Sequence, residues 1–157
     1  MQHRMKTHQL NAEQMEKLLK TEQVGTLATV NEDGSPYTTP VHFLYQNARL
    51  YIHGLPAGKK LDNLKRVSAV CFSVYHMDAL LFDEAGKPCD TNTRYQSVII
   101  QGNASILADA KEKACVLDGF VNKYTPHLSA VSLPENMVKG TGVISVAISE
   151  MTGKYWE

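Results

Sequence analysis

The sequence predicts a mainly β fold, a β-barrel of six antiparallel strands with peripheral helices. Three observations lead there. Short runs rich in β-branched and aromatic residues follow one another through hairpin-length links. The run Tyr95–Leu107 is long for a strand and carries Gly102 near its middle, as a bulge that bends a strand into a closed barrel would require. The 157 residues, 43% of them hydrophobic, are one domain's worth and enough to bury a core. One domain is expected over 1–157, with an N-terminal helical segment at 1–21 and a barrel with inserted helices at 22–150.

Taken in order, Asn11 is placed to cap a short amphipathic helix whose Met15, Leu18 and Leu19 recur at helical spacing. Gln23–Val30 reads as a strand, and Asp33-Gly34 as the turn of a hairpin returning along Pro36–Tyr45. Pro36 and Pro40 place those positions at an edge, a strand start or a bulge. Gln46-Asn47-Ala48 turns the chain into the strand Arg49–His53. A Gly/Pro turn then leads to a helix from Gly58 to Lys65 with Leu61 and Leu64 on one face. Val67–His76 is nearly continuous in small and branched residues, a pattern of strands covered on both faces. Met77–Thr93 is expected to be a loop of about seventeen residues, either a lid or subunit contact or a plain surface excursion. After the long strand, Asp109 can cap a helix running through Val121; 122–136 reads as irregular, and Thr141–Ser149 as the last strand.

Composition excludes several classes. Sixteen basic and sixteen acidic residues cancel, so no global field favours nucleic acid or an anionic membrane. No apolar run approaches a membrane span and the N-terminus has no apolar signal core, so a cytoplasmic location is expected. Cys71, Cys89 and Cys115 are odd in number and lack metal spacing. Cys71, inside an apolar run, is expected to be a buried thiol, and Cys89 an exposed one.

The chemistry concentrates in Tyr51–Lys65, where a strand ends in His53 and a helix begins with Lys59 and Lys60. Two cations at the positive end of a helix dipole cost about 0.3–1 kcal/mol each unless an anion docks among them. A phosphate would fit, and plain solvation of both lysines is the alternative. Common catalytic signatures are absent, with no G-x-S-x-G, H-E-x-x-H or phosphate-loop motif. His42 and His76 read as hydrogen-bonded strand residues; Thr26, Thr29, Thr38 and Thr39 either line a polar pocket or are ordinary strand residues.

In order and spacing, Val24–Thr29, Gly34–Val41, Leu50–Gly54 with Gly58–Leu64, Val70–Phe72 and Tyr95–Gly102 resemble the split-barrel flavoproteins related to pyridoxamine 5′-phosphate oxidase, most of all the nitroimidazole-resistance branch. The resemblance implies a six-stranded antiparallel split β-barrel of the FMN-binding type. It further implies a homodimer with FMN at the interface. Leu27, Ala28 and Thr29 would hold the flavin edge and ribityl through backbone groups, and Lys59 and Lys60 the 5′-phosphate. His53 would lie beside the flavin as the catalytic residue. Gln96, Ser97 and Val98 would contribute from the other side, possibly from the second chain. The arginine-rich substrate positions of true pyridoxamine phosphate oxidases have no clear counterpart near Thr152–Trp156, so oxidation of vitamin B6 is not implied. The implied function is an NAD(P)H-linked oxidoreductase reducing a small acceptor, as a nitroreductase or flavin reductase does. A non-catalytic FMN- or haem-binding module, with His42, His53 or His76 as axial ligand, is the alternative, and a deazaflavin in the same groove is a third. No metal ion, nucleic acid or membrane is expected as a partner.

Overall fold

β1 (Val24–Val30) pairs along one side with β2 (Pro36–Gln46) and along the other with β4 (Ala69–Leu81), and that second seam closes the sheet. With β3 (Arg49–Gly54), β5 (Asn92–Ile106) and β6 (Gly142–Trp156) the ring runs β1-β2-β3-β6-β5-β4, antiparallel throughout, as predicted. This computed structural model describes residues 6–157; of the expected N-terminal segment, positions 1–5 lie outside the described residues. Its regular helices of defined register are α1 (Ala12–Thr21), α2 (Lys59–Arg66), α3 (Ala110–Tyr124) and α4 (Glu135–Gly140), one more than the three expected. The extra one, α4, occupies the end of the segment read as irregular.

Period-two alternation sends Leu27, Val41, Phe43, Leu50, Ile52, Phe72, Val74, Val98 and Ile100 into the ring, where they form the main core. The residues between them face outward. On β2, β3 and β6 the outward set includes Leu44, Tyr51 and Val143, and these need a cover. Val116 and Phe120 of α3 supply it, forming a second buried cluster outside the barrel. Gly119 permits the close approach, since a Cβ there would strike the Leu44 side chain. Asp109 caps α3 by accepting from the Glu112 amide, and Asn11 and Gln14 form a reciprocal capping box on α1, as the sequence indicates.

Four expectations change. Met77–Thr93 is mostly strand: β4 continues to Leu81 and β5 begins at Asn92, with an irregularity between Met77 and Ala79. The connection is only 82–91, around the 3-10 turn Pro88–Asp90. The interrupted register and exposed Met77 and Leu80 hide the strand from a pattern search. The last strand does not stop at Ser149. Gln101 pairs with Glu150 and Gly102 with Ile148, so Ser149 is the extra residue of the bulge expected at Gly102, and pairing resumes to Trp156. Val67–His76 is not covered on both faces within this chain, because α3 lies over the outside of β2, β3 and β6 and leaves the outer face of β4 exposed. Cys71 therefore points outward and is exposed, as are Cys89 and Cys115.

The end of α3 is tied to the barrel by two neighbouring residues. Lys123 Nζ donates to the carbonyls of Leu19 (3.1 Å) and Phe43 (3.0 Å) and lies 3.8 Å above the Phe43 ring. The Tyr124 hydroxyl accepts from the Phe43 amide (2.9 Å) and lies within donating distance of the Phe43 (2.8 Å) and Gln23 (2.7 Å) carbonyls. Beyond His42, β2 has outrun its β1 partner, and these side chains satisfy the backbone groups left over. Burial lowers the Lys123 ammonium from 10.5 to about 8, opposed by Glu22. Between those values the unfolded chain binds a proton that the folded chain has released, so stability should rise with pH across this window. Urea titrations at pH 8 and 10 should show the protein gaining stability relative to Lys123→Met; an identical pH slope in the two would refute this.

Candidate functional site

A two-residue turn brings two histidines together. Asn47 and Ala48 both have positive φ (52° and 56°), the conformation of a tight hairpin turn that follows strand twist. Pairing then runs from Gln46 with Arg49 to Phe43 with Ile52, which sets His42 across from His53 on the outward face. Each imidazole packs on a ring of α3. His53 meets Phe120 edge to face at 4.3 Å, and His42 stacks on Tyr124 at 4.8 Å and 26°. Burial lowers the basicity of His53 below its ordinary value, with His42 and Lys60 adding to the effect. It is therefore held neutral at pH 7 and can donate from one ring nitrogen and accept at the other.

The α2 start follows immediately. Gly58 is its N-cap at φ 136°, a backbone conformation that favours glycine, and no side chain caps the helix. The amides of Leu61 and Asp62 bond to the Gly58 carbonyl. The remaining first-turn N–H groups are available to water or an anion. Lys59 and Lys60 leave this start in different directions. Lys59 Nζ lies 5.2 Å from the Tyr37 ring centroid, beside the hairpin of Asn31–Asp33. Lys60 Nζ sits over Gly54, 3.7 Å from where a Cβ would be, and borders a groove of about 370 Å³ with Val24, Pro40, Val41, His42 and His53. The helix is fixed from beneath by Asn63, which is buried and donates to Thr29 Oγ1 (3.0 Å) and Asn31 Oδ1 (3.0 Å). Its own Oδ1 accepts from Arg66 (2.9 Å).

Of the residues singled out in the sequence, His53 and Lys60 share one groove, and Lys59 stands on the other flank of the same helix start. Leu27 and Thr29 point into the barrel, where Thr29 donates to the Tyr37 carbonyl (3.3 Å). Ala28 alone of the three faces out, between Thr38 and Cys71. Gln96 lines a separate cleft between α1 and the β4–β5–β6 end, with His76, Arg94 and Trp156. Ser97 lies on the outer face beside Tyr75 and Lys154, and the Val98 side chain is wholly inside the core. His76 pairs with Glu22 at 2.7 Å, away from the other two strand histidines.

Sequence reading weighed His42 only as a strand histidine or axial ligand, without pairing it with His53, and gave Phe120 and Tyr124 no place in the site. A signal for them exists: counting back from a two-residue turn at Asn47-Ala48 puts His42 opposite His53, and Phe120 and Tyr124 lie four apart on one helix face.

No curated protein matches the chain. Among solved structures, a candidate 5-nitroimidazole antibiotic resistance protein from Bacteroides thetaiotaomicron is 26% identical, with TM-score 0.82, over 93% of this chain and 85% of its own. The FAD- and haem-binding protein of Mycobacterium smegmatis superposes with TM-score 0.85 at 23% identity, over 96% of this chain and 74% of its own. The flavocytochrome Anf3 of Azotobacter vinelandii does so with TM-score 0.80 at 23% identity, over 94% and 68%. The last two show a shared fold. Residues 11–155 match the profile of the pyridoxamine 5′-phosphate oxidase family, and with the closed six-stranded ring in place the chain belongs to that family.

Proposed function

We propose that this protein is an FMN-binding flavoprotein that transfers reducing equivalents from NADH or NADPH to a small acceptor. The observation that carries this is the uncapped start of α2, whose Lys60 opens onto the same groove as the neutral His53. A groove with a cationic helix start at one end and apolar walls fits a phosphate joined to a planar ring. Lys59 and Lys60 would hold the 5′-phosphate from two flanks, and Leu27, Ala28 and Thr29 would border the flavin from β1 through their backbone groups. His53 would orient and hydrogen-bond the reactive face. Bound FMN would supply the redox chemistry itself.

The outer face supports a second subunit completing the site. Val24, Tyr75, Met77 and Ile99 lie on neighbouring strands, point outward, and are each roughly half exposed. Contiguous apolar surface of this kind favours burial against another chain. Gln96 and Ser97, remote from Lys60 within one chain, would then reach the cofactor of the partner. A non-catalytic haem module is the second reading. It is favoured by the imidazoles of His42 and His53, which make ring contacts but no side-chain hydrogen bond among the described residues.

The purified protein should carry flavin absorption that bleaches when NADH or NADPH is added without oxygen. A Soret band in place of flavin bands supports the haem reading, and a protein that takes up neither overturns both. Replacing Lys59 and Lys60 by alanine should weaken FMN by about tenfold or more per lysine, the value of a charge-assisted hydrogen bond, while sparing riboflavin. Equal losses for the two ligands would refute the phosphate assignment. By sedimentation, FMN should be retained by a dimer and released on dilution to monomer; a monomer that keeps its FMN would rule out the interfacial site.

A further inference from the structure

On the side of α2 that packs against the barrel, one buried residue is polar. Leu61 and Leu64 join the core there, and Asn63, between them in sequence, is only 2% exposed. An amide so placed has lost its water, and it is tolerated only where its hydrogen bonds are replaced. The replacements are directional. One amide hydrogen goes to Thr29 Oγ1 and the other to Asn31 Oδ1, while the amide oxygen accepts from Arg66 Nη2. Arg66 can only donate and Asn31 Oδ1 can only accept, so the Asn63 amide has one orientation. The bonds continue beyond it. Thr29 Oγ1 passes its own hydrogen to the Tyr37 carbonyl, and the Tyr37 ring is the one beside Lys59 Nζ. Asn31 holds the β1–β2 hairpin, its side chain donating to Ser35 Oγ (3.0 Å) and its backbone amide to the Ser35 carbonyl (2.8 Å). Asn63 thus joins the α2 start to the strand and the hairpin that face it.

We infer that Asn63 is a positioning residue: its bonds to Thr29 and Asn31 set the place of the α2 start relative to β1, so that a flavin bordered by β1 brings its phosphate onto Lys59, Lys60 and the free helix N–H groups. The inference rests on the FMN reading for the ligand, and it adds a residue that does not itself touch that ligand. α2 has eight residues, too few to hold a helix in water without tertiary contacts. Burial of Leu61 and Leu64 supplies attraction, but the hydrophobic effect has no direction and does not by itself fix how the helix is turned. No side chain caps the helix, so its first turn is not held by a side-chain bond at its own start. The directed bonds of Asn63 supply that constraint, and in a site shielded from water they are stronger than the same bonds on the surface. Binding groups displaced by about 1 Å can lose on the order of a hundredfold in effect. A phosphate bound at the α2 start is therefore sensitive to Asn63, and a flavin without a phosphate is not.

Asn63→Leu nearly keeps the side-chain volume and removes all three bonds. It leaves Thr29 Oγ1 without its donor, so a loss of stability accompanies it. Adding Thr29→Val replaces both partners by apolar groups, which returns much of that stability without restoring the directed bond. FMN and riboflavin binding by the full-length protein, the single variant and the double variant are measured by equilibrium dialysis, and thermal unfolding is followed without flavin. In Asn63→Leu, FMN should bind about tenfold more weakly and riboflavin within about twofold of its original affinity. In the double variant the unfolding midpoint should move back toward that of the unaltered protein while FMN stays about tenfold weak. Equal losses for FMN and riboflavin, or FMN binding that recovers together with the unfolding midpoint, would make Asn63 a stabilising residue only and overturn the inference. FMN binding that Asn63→Leu leaves intact removes the positioning role and keeps the flavin reading; an unaltered protein that binds no FMN removes both.

Discussion

The seam between Thr26–Ala28 of β1 and Cys71–Ser73 of β4 is short, and it turns the sheet into a ring. A ring has one interior. Side chains of alternate parity are committed either to that interior or to the outside, and a shift of one residue would exchange the two sets. Leu50 and Ile52 go in, so Tyr51 and His53 go out. The outward residues of β2, β3 and β6 are too apolar to stay wet, and α3 is bound over them. The candidate site exists where that cover is incomplete, at the strand ends beyond Tyr51, between His53 and the last turns of α3.

The polar groups around the site are arranged by the same geometry. β2 extends past the start of β1, and the backbone groups this leaves are met by Lys123 and Tyr124. Those bonds fix the end of α3, and so fix the Phe120 and Tyr124 rings on which His53 and His42 rest. Removing water from His53 keeps it neutral, and the nearby Lys60 acts in the same direction. One side of the histidine pair therefore carries a cation, and the other is lined mainly by apolar side chains.

Much of this is legible in the sequence. Asn11 and Asp109 announce helix starts because their side chains can accept the amides left over there. Gly58 followed by two lysines marks a helix start suited to an anion, and the structure places it next to a histidine at a strand end. The β4–β5 arm was illegible for a local reason: its register is interrupted after Met77 and its apolar side chains are exposed, so alternation gives no clear signal. The outward position of Cys71 was hidden because small residues suit both faces of a strand equally well.

The sequence by itself determined most of the elements, the barrel class and the cationic helix start beside His53, because capping, turns and alternation act over a few residues. Only the tertiary structure decided the partners of those elements. Whether Lys59 and Lys60 point together or apart depends on where Tyr37 and Gly54 lie. Whether His42 belongs to the site depends on pairing with β3 and on the ring of Tyr124, more than eighty residues away in sequence. The mainly apolar cavity beside His42 and His53 belongs to no single stretch of chain: it is the space left between the barrel and the α3–α4 cover, and volumes of that kind follow from packing alone.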